Sequence, residues 1–195
     1  MIFSVFSFYP NRIVNSIDGS IIHSKKPKKI KEIENLKKYG IDLNKFKKTN
    51  GEYQKHDVKN ISYNYTLSNV NALLANNSLK LLNSRIKKIK FNIKFYNKAL
   101  KDLNNISIVE MPKYVTSVNW VYFIFSPNSK KLIKYLKSKN IETTKLHYLN
   151  HRYSTFNKSK FSSLSLQNTI KFYEEIVCIP CGWWLTKNNL NKIVE

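Results

Sequence analysis

Phe6-Ser-Phe-Tyr-Pro-Asn-Arg-Ile-Val-Asn-Ser-Ile-Asp-Gly-Ser20 is the stretch from which the fold can be read. Just ahead of it and into it, Phe3, Val5 and Ser7 fall on one face of an extended chain and Phe6 and Phe8 on the other, until Pro10-Asn11 breaks the alternation. Successive strand side chains point to opposite faces, so the pattern predicts a buried strand running into a turn. After Asp18-Gly19 a second short strand is predicted over Ser20-Ile-Ile-His23, ended by Ser24-Lys-Lys-Pro27. A helix then fits Lys28 to Lys38, with Gly40 as its stop. Residues 41 to 60 are polar and without periodicity, and read as an exposed loop.

Outward from there the grammar turns helical. From Leu67 to about Leu103 the apolar residues Val70, Leu73, Leu74, Leu81, Leu82, Ile86, Ile89, Ile93, Tyr96, Ala99 and Leu100 recur at three- and four-residue steps. That spacing predicts one long helix, or two with a break near Asn76-Asn77-Ser78. Beyond it strands are predicted at Ile106 to Val109, Val118 to Phe125 and Glu142 to His147, with helices at Lys130 to Lys139, Ser165 to Val177 and from Thr186, a good N-cap. A compact α/β domain of roughly 90 residues results, with its boundary near residue 105.

Composition bounds what such a chain can do. The 195 residues hold 34 Lys+Arg against 12 Asp+Glu, a net charge of +22, with 42% hydrophobic and 13% aromatic residues. A chain this apolar buries a core, so general disorder is excluded despite the charge. Only Arg12, Arg85 and Arg152 are arginine; the lysines spread from Lys25 to Lys192 amid abundant asparagine, the signature of AT-rich coding rather than of one basic surface. Nucleic-acid readers favour arginine for bidentate contacts, and no such module's motif occurs, so only nonspecific binding is expected. No apolar run approaches the ~20 residues of a membrane span, and no signal peptide is recognisable, so a cytoplasmic protein without membrane contact is expected.

Cys178-Ile-Pro-Cys181 has the spacing of a redox pair, but it follows a predicted helix instead of opening one, and two buried residues on a short strand are the simpler reading. Zinc needs about four ligands and the histidines His23, His56, His147 and His151 are scattered, so no metal site is expected. The aromatics Trp120, Tyr122 and Phe123 read as core packing.

Five segments carry a resemblance to a known family. The opening stretch resembles the pyridoxal-phosphate lysine segment of the DegT/DnrJ/StrS family of nucleotide-sugar aminotransferases, whose pattern is Ser-Phe, three residues, Lys, a short turn and Glu/Asp-Gly-Gly. Lys37-Lys-Tyr-Gly-Ile-Asp42 resembles its Arg-x-x-Gly-Ile-Asp step, and Ser62-Tyr-Asn-Tyr-Thr-Leu-Ser-Asn-Val-Asn-Ala-Leu73 its Gly-Tyr-Asn-Tyr-Arg-Leu motif. Lys145-Leu-His-Tyr-Leu-Asn-His151 is similar to a His-Tyr-x-Pro-x-His segment, and Val177-Cys-Ile-Pro-Cys-Gly-Trp-Trp-Leu-Thr186 to a Leu-x-Leu-Pro stretch ending Leu-Thr. The blocks run in order over essentially the whole chain.

The resemblance implies an α/β protein, the C-terminal half of a fold-type I aminotransferase. Its parts are a remnant of the large-domain sheet over residues 1–60, a long interdomain helix over 61–105 and a small α/β domain over 106–195. It implies pyridoxal 5′-phosphate as cofactor and a keto-sugar nucleotide as substrate, in amino-sugar or polysaccharide biosynthesis. By the family's pattern Ser7 bonds the cofactor phosphate, Asn64 reaches that phosphate from a neighbouring subunit, and His147 and Tyr148 lie on the substrate side. Strand packing for Ser7 and Tyr148, and a helix-entry cap for Asn64, are the alternative readings. The Schiff-base lysine position holds Arg12. An imine needs an amine that loses its proton, and arginine's delocalised guanidinium does not. Gly19-Ser20 replaces the Gly-Gly, and Thr66 stands where the motif has arginine. The family's ring-binding residues lie upstream of the lysine segment with which this chain opens. A truncated or split, catalytically impaired product is therefore expected, pairing as a homodimer or with a complementary chain; the alternative is a noncatalytic interaction subunit.

Overall fold

The computed structural model describes residues 3–42, 58–109, 111–112, 114–115, 117–156 and 165–195. By packing, the chain forms two compact units, Met1–Leu82 and Asn83–Glu195. In the first, β1 (Ser4–Ser7) and β2 (Ser20–His23) pair antiparallel with Ser4 opposite His23 and Ser7 opposite Ser20. Phe8 N donates to Gly19 O at 2.9 Å and closes the connection. Gly19 has φ +110°, and a Cβ there would lie 2.3 Å from Leu67 Cδ1, so backbone freedom and space both select glycine. The expectation of a buried strand is corrected. Val5 and Phe6 are 64% and 58% exposed, because the two strands form a sheet of their own with a face on each side, and Phe8 alone of the apolar set is buried.

α1 (Pro27–Leu36) opens on proline, whose fixed φ suits the first turn, and ends two residues short of the expected Lys38. Tyr39 and Gly40 both have positive φ, which turns the chain out of the helix. Lys37 and Tyr39 then pair with Tyr65 and Tyr63: Tyr65 N donates to Lys37 O at 2.8 Å and Tyr39 N to Tyr63 O at 3.1 Å. The expected loop over residues 41 to 60 lies mostly outside the described residues. α2 (Asn69–Lys80) is capped by Ser68, whose Oγ accepts from Asn71 N at 3.1 Å.

The helical stretch breaks at Leu81, later than expected, and resumes as α3 (Leu82–Leu100). The sequence divides the chain near residues 60 and 105; packing divides it after Leu82. The reason is that α3 buries Ile89, Asn92, Tyr96 and Leu100 as part of the second unit's core. Asn92 Nδ2 donates to Gly182 O at 2.9 Å, a bond that ties α3 to the far end of the sequence.

The second unit is built on an antiparallel sheet, β3 (Ser107–Ile108), β4 (Val121–Phe125) and β5 (Ile176–Pro180), in that order. Tyr122, Ile124, Val177, Cys178 and Ile179 from β4 and β5 are buried, as are Leu185 and Leu190 beyond. α4 (Ser129–Ser138) leaves β4 and ends with Asn140 at φ 58°, a left-handed exit that asparagine tolerates. α5 (Gln167–Glu175) runs directly into β5, so the expected helix to Val177 ends early. The strand expected over Glu142 to His147 is reduced to one bridge, Thr144 against Cys178. α6 (Lys187–Val194) carries a full capping box, Thr186 Oγ1 accepting from Asn189 N and Asn189 Oδ1 from Thr186 N. Among the described residues no helix is long and apolar enough to cross a membrane.

Candidate functional site

The β1–β2 connection positions two of the sequence-predicted site residues. Ser7 ends β1, and its Oγ accepts from Tyr9 N at 3.2 Å. Arg12 closes a turn, its N donating to Tyr9 O at 2.9 Å, while Asn15 Nδ2 donates to Arg12 O at 2.8 Å. Asn15 N donates to Ser78 Oγ at 3.0 Å, which anchors the loop on α2. The Arg12 side chain is exposed, and among the described residues it forms no ion pair.

Asn64 belongs to the same unit and sits at the bridge with Lys38. Its Oδ1 accepts from Thr66 N at 3.2 Å, a local turn ahead of α2. The N-cap of that helix is Ser68, so Asn64 does not cap it. Among the described residues no hydrogen bond joins Asn64 to Ser7 or Arg12.

His147 and Tyr148 lie in the second unit and line a cavity of about 440 Å³. Asn150, His151, Phe156, Thr169, Phe172 and Tyr173 complete most of its wall. Tyr148 stands edge-on to Tyr153 at 5.1 Å and to Tyr173 at 6.2 Å between ring centroids. The His147 ring stacks on Trp120 at 6.3 Å and 24°. A wall of aromatic rings with a few imidazole, amide and hydroxyl groups binds a flat or mixed-polarity molecule better than a bare ion. Thr169, Phe172 and Tyr173 escaped the sequence reading, although their i, i+3, i+4 spacing marks one face of α5. Trp120, expected as core, is partly exposed and serves as the support for His147.

Lys145, just before this segment, is the strongest local anchor. Its Nζ donates to Ser129 Oγ at 2.8 Å, to Tyr173 O at 2.9 Å and to Glu174 O, and Ser129 Oγ also donates to Glu174 O. A lysine on the last carbonyls of a helix satisfies orphan acceptors and complements the helix dipole. Burial lowers the Lys145 pKa, with the like charge of Lys130 adding to the effect and Glu174 opposing it. The lysine is spent on structure and ties the His147–Tyr148 segment to α4 and α5.

Cys178 and Cys181 are both free and buried. Burial raises both thiols, Cys181 to about 12, so neither offers the thiolate a redox pair needs. Among the described residues no group of His, Cys, Asp or Glu is placed to hold a metal ion.

The sequence is 27% identical over 183 residues to the UDP-4-amino-4,6-dideoxy-N-acetyl-beta-L-altrosamine transaminase of Campylobacter jejuni subsp. jejuni strain 81-176, covering 91% of this chain and 46% of that protein. PseC of Helicobacter pylori, an aminotransferase involved in the biosynthesis of pseudoaminic acid, has the same fold with a TM-score of 0.86 at 21% identity, over 99% of this chain and 51% of PseC. DesV of S. venezuelae gives a TM-score of 0.85 at 18% identity, over 98% and 49%. The chain thus spans about half the length of the relatives it matches. The sequence pattern of one family covers residues 2–195, nearly the whole chain, and this protein belongs to that family, the DegT/DnrJ/EryC1/StrS aminotransferases.

Proposed function

We propose that this chain is a half of a nucleotide-sugar aminotransferase fold that does not transaminate by itself. The observation that carries the reading is Arg12, which stands where the family's pattern has the lysine that bonds pyridoxal phosphate. The family's aminotransferases depend on that cofactor. The residues present do not fit covalent attachment of it. Residue 12 offers a guanidinium, which stays protonated and does not attack a carbonyl carbon. No catalytic step is therefore assigned to the cofactor on this chain.

The second unit supports the substrate class. The cavity around His147 and Tyr148 is roomy enough for part of a keto-sugar nucleotide, and its aromatic wall suits a ring. The named Campylobacter relative is a UDP-amino-sugar transaminase, which supports the same class. A second reading, a noncatalytic subunit that pairs with a second copy or with a chain carrying the rest of the fold, is supported by the exposed apolar faces of β1 and β2.

The test is turnover with a keto-sugar nucleotide, glutamate and pyridoxal phosphate. The unaltered chain is expected to be inert, and Arg12→Lys alone is expected to remain inert because the 195 residues span only about half the length of the transaminases they match. Turnover by the unaltered chain would overturn the reading. Turnover by Arg12→Lys would show that the chain holds the remaining machinery and overturn the half-site account.

A further inference from the structure

Asn60 to Leu79 is a run of 20 residues without a Lys, Arg, Asp, Glu or His, in a chain of which 24% is charged, a frequency that would place about five charges there. Its large side chains nevertheless face solvent. α2 is amphipathic the wrong way round for a helix packed only on its own unit. It buries the small residues Ala75 and Ser78, the latter bonded to the β1–β2 connection through Asn15 N, and turns Val70, Leu73 and Leu74 outward. Val70 and Leu73 are 63% and 60% exposed. Ahead of the helix, Ile61, Tyr63 and Tyr65 stand two residues apart on one face of an extended segment, and all three are exposed. The two tyrosine rings lie 5.8 Å apart. Tyr65 N on Lys37 O, at 2.8 Å, and Tyr39 N on Tyr63 O, at 3.1 Å, fix that backbone, so the face is presented with little left to order.

Apolar residues exposed singly need no explanation, but a charge-free run with tyrosines does. Loss of charge and gain of tyrosine separate the core of a protein–protein interface from ordinary surface. Stable interfaces use about 20–30 residues a side, the length of this run. The size of the matching proteins points to the occupant. PseC holds this fold at a TM-score of 0.86 over 99% of this chain, yet the match takes up 51% of PseC, so there the fold is accompanied by about as much chain again. DesV shows the same proportion. We propose that the face from Asn60 to Leu79 is the docking surface for the other half of the fold, supplied in trans by a separate polypeptide in a one-to-one complex. The occupant rests on the half-fold reading given above; the face and its chemistry go beyond it. The partner's contact surface is apolar and poor in charge, because a charge buried against this run meets no counter-charge.

The experiment is co-expression of the full chain with a tagged polypeptide comprising the part of the Campylobacter jejuni transaminase that this chain does not match, followed by size-exclusion chromatography with light scattering. That transaminase's own matched part, co-expressed in place of this chain, is the positive control. A one-to-one complex is expected. Val70→Lys with Leu73→Lys is expected to weaken it tenfold or more, equivalent to about 1.4 kcal/mol. Tyr135→Lys makes the same kind of change at an exposed aromatic of α4 and is expected to leave the complex unaltered. Circular dichroism checks that each variant is folded. No complex while the control assembles would overturn the proposal, and so would equal loss in the two variants. A complex that Val70→Lys with Leu73→Lys leaves intact would overturn this face and keep the pairing. Self-association of the chain alone, abolished by the same pair, would give the face to a second copy and overturn the occupant. Turnover by the unaltered chain, measured separately, overturns the function reading whatever the complex does, so the two failures are distinguishable.

Discussion

Tyr96 donates its hydroxyl to the carbonyl oxygen of Pro180 at 2.7 Å, joining the buried face of α3 to the last residue of β5. The ring is completely buried, 4.9 Å from the ring of Tyr122, whose own hydroxyl donates to Asn97 Oδ1 at 2.7 Å. Two phenols thus bond the helix to a strand terminus and to each other's surroundings. Tyr96→Phe keeps the ring and leaves the Pro180 carbonyl without its donor, a loss of about 1–2 kcal/mol. Urea unfolding should show a lower midpoint at unchanged slope, and an unaltered midpoint would contradict the role given to this bond.

The same cluster sets a pH dependence. Burial pushes the Cys181 thiol up to about 12 from its ordinary 9.0, and burial together with the nearby Cys181 pushes Tyr122 up to about 12 from 10.0. Between the unfolded and the folded values the native chain holds protons that the unfolded chain has released. Stability is therefore full below about pH 9 and falls as pH rises towards 12. Melting temperatures followed across that range should decline, and Cys181→Ala should make the decline shallower. Equal slopes in the two proteins would remove Cys181 from the account.

Native Cys178 and Cys181 should also resist a disulfide exchange reagent at neutral pH, because exchange needs thiolate and access and both are buried. Both should react once urea unfolds the chain. Rapid modification of the folded protein would revive the redox reading of the Cys-Ile-Pro-Cys run.

Particular residues show where the sequence was legible. The turn at Asp18-Gly19, the cap at Thr186 and the stop at Gly40 are local, and local bonding or positive φ decides each of them. The end of α5 was not legible: Ile176-Val-Cys-Ile179 is buried without a break, and a continuous apolar run does not distinguish helix from central strand. Thr144 lost its expected strand because it makes one bridge to Cys178, a long-range fact absent from its neighbourhood in sequence. Of the candidate site, Ser7, Arg12 and Asn64 fall in one packing unit and His147 and Tyr148 in the other, an assignment set by what α3 buries. Lys145 went unnoticed because its partners are main-chain oxygens of α5, and no side-chain motif encodes a carbonyl.

That anchor is open to test. Lys145→Met removes three bonds and leaves the Tyr173 carbonyl short of a donor, while Ser129 Oγ still donates to Glu174 O, so a loss of about 1–3 kcal/mol is expected. Because the lysine tethers the segment carrying His147 and Tyr148, amide exchange should also quicken from residue 146 to residue 153. Unchanged stability and exchange would mean that the lysine is an ordinary surface charge.

The β1–β2 pair should drive association. Val5 pairs with Ile22 on one face and Phe6 with Ile21 on the other, and all four are exposed. Among the described residues β1 and β2 form a sheet of two strands, and strand edges beside apolar faces promote strand addition or self-assembly. Light scattering at micromolar concentration should show a dimer or larger species, reduced by Val5→Thr with Phe6→Thr. A monodisperse monomer would count against it.

The net charge of +22 yields the last prediction. Lys87, Lys94, Lys98, Lys134 and Lys137 are exposed on α3 and α4, while Lys88 lies over the Phe91 ring at 5.1 Å. Lys29 pairs with Glu32 and Lys101 with Asp102, and with 34 Lys+Arg against 12 Asp+Glu most of this charge has no acid to pair with and is solvated. Solvated lysine attracts phosphate backbones by counterion release, an effect that ignores sequence and collapses with salt. A nucleic-acid reader would add arginine forks on base edges or a row of stacking aromatics; here Arg85 lies over the Trp183 ring, and the exposed Phe91 and Tyr135 stand singly with Lys88 and Lys139 over their rings. Duplex DNA should therefore bind weakly at low salt, lose affinity steeply towards about 150 mM, and show no preference between one sequence and its scrambled competitor. Submicromolar, sequence-selective binding at that salt would place a nucleic-acid surface on this chain and displace the aminotransferase-derived reading.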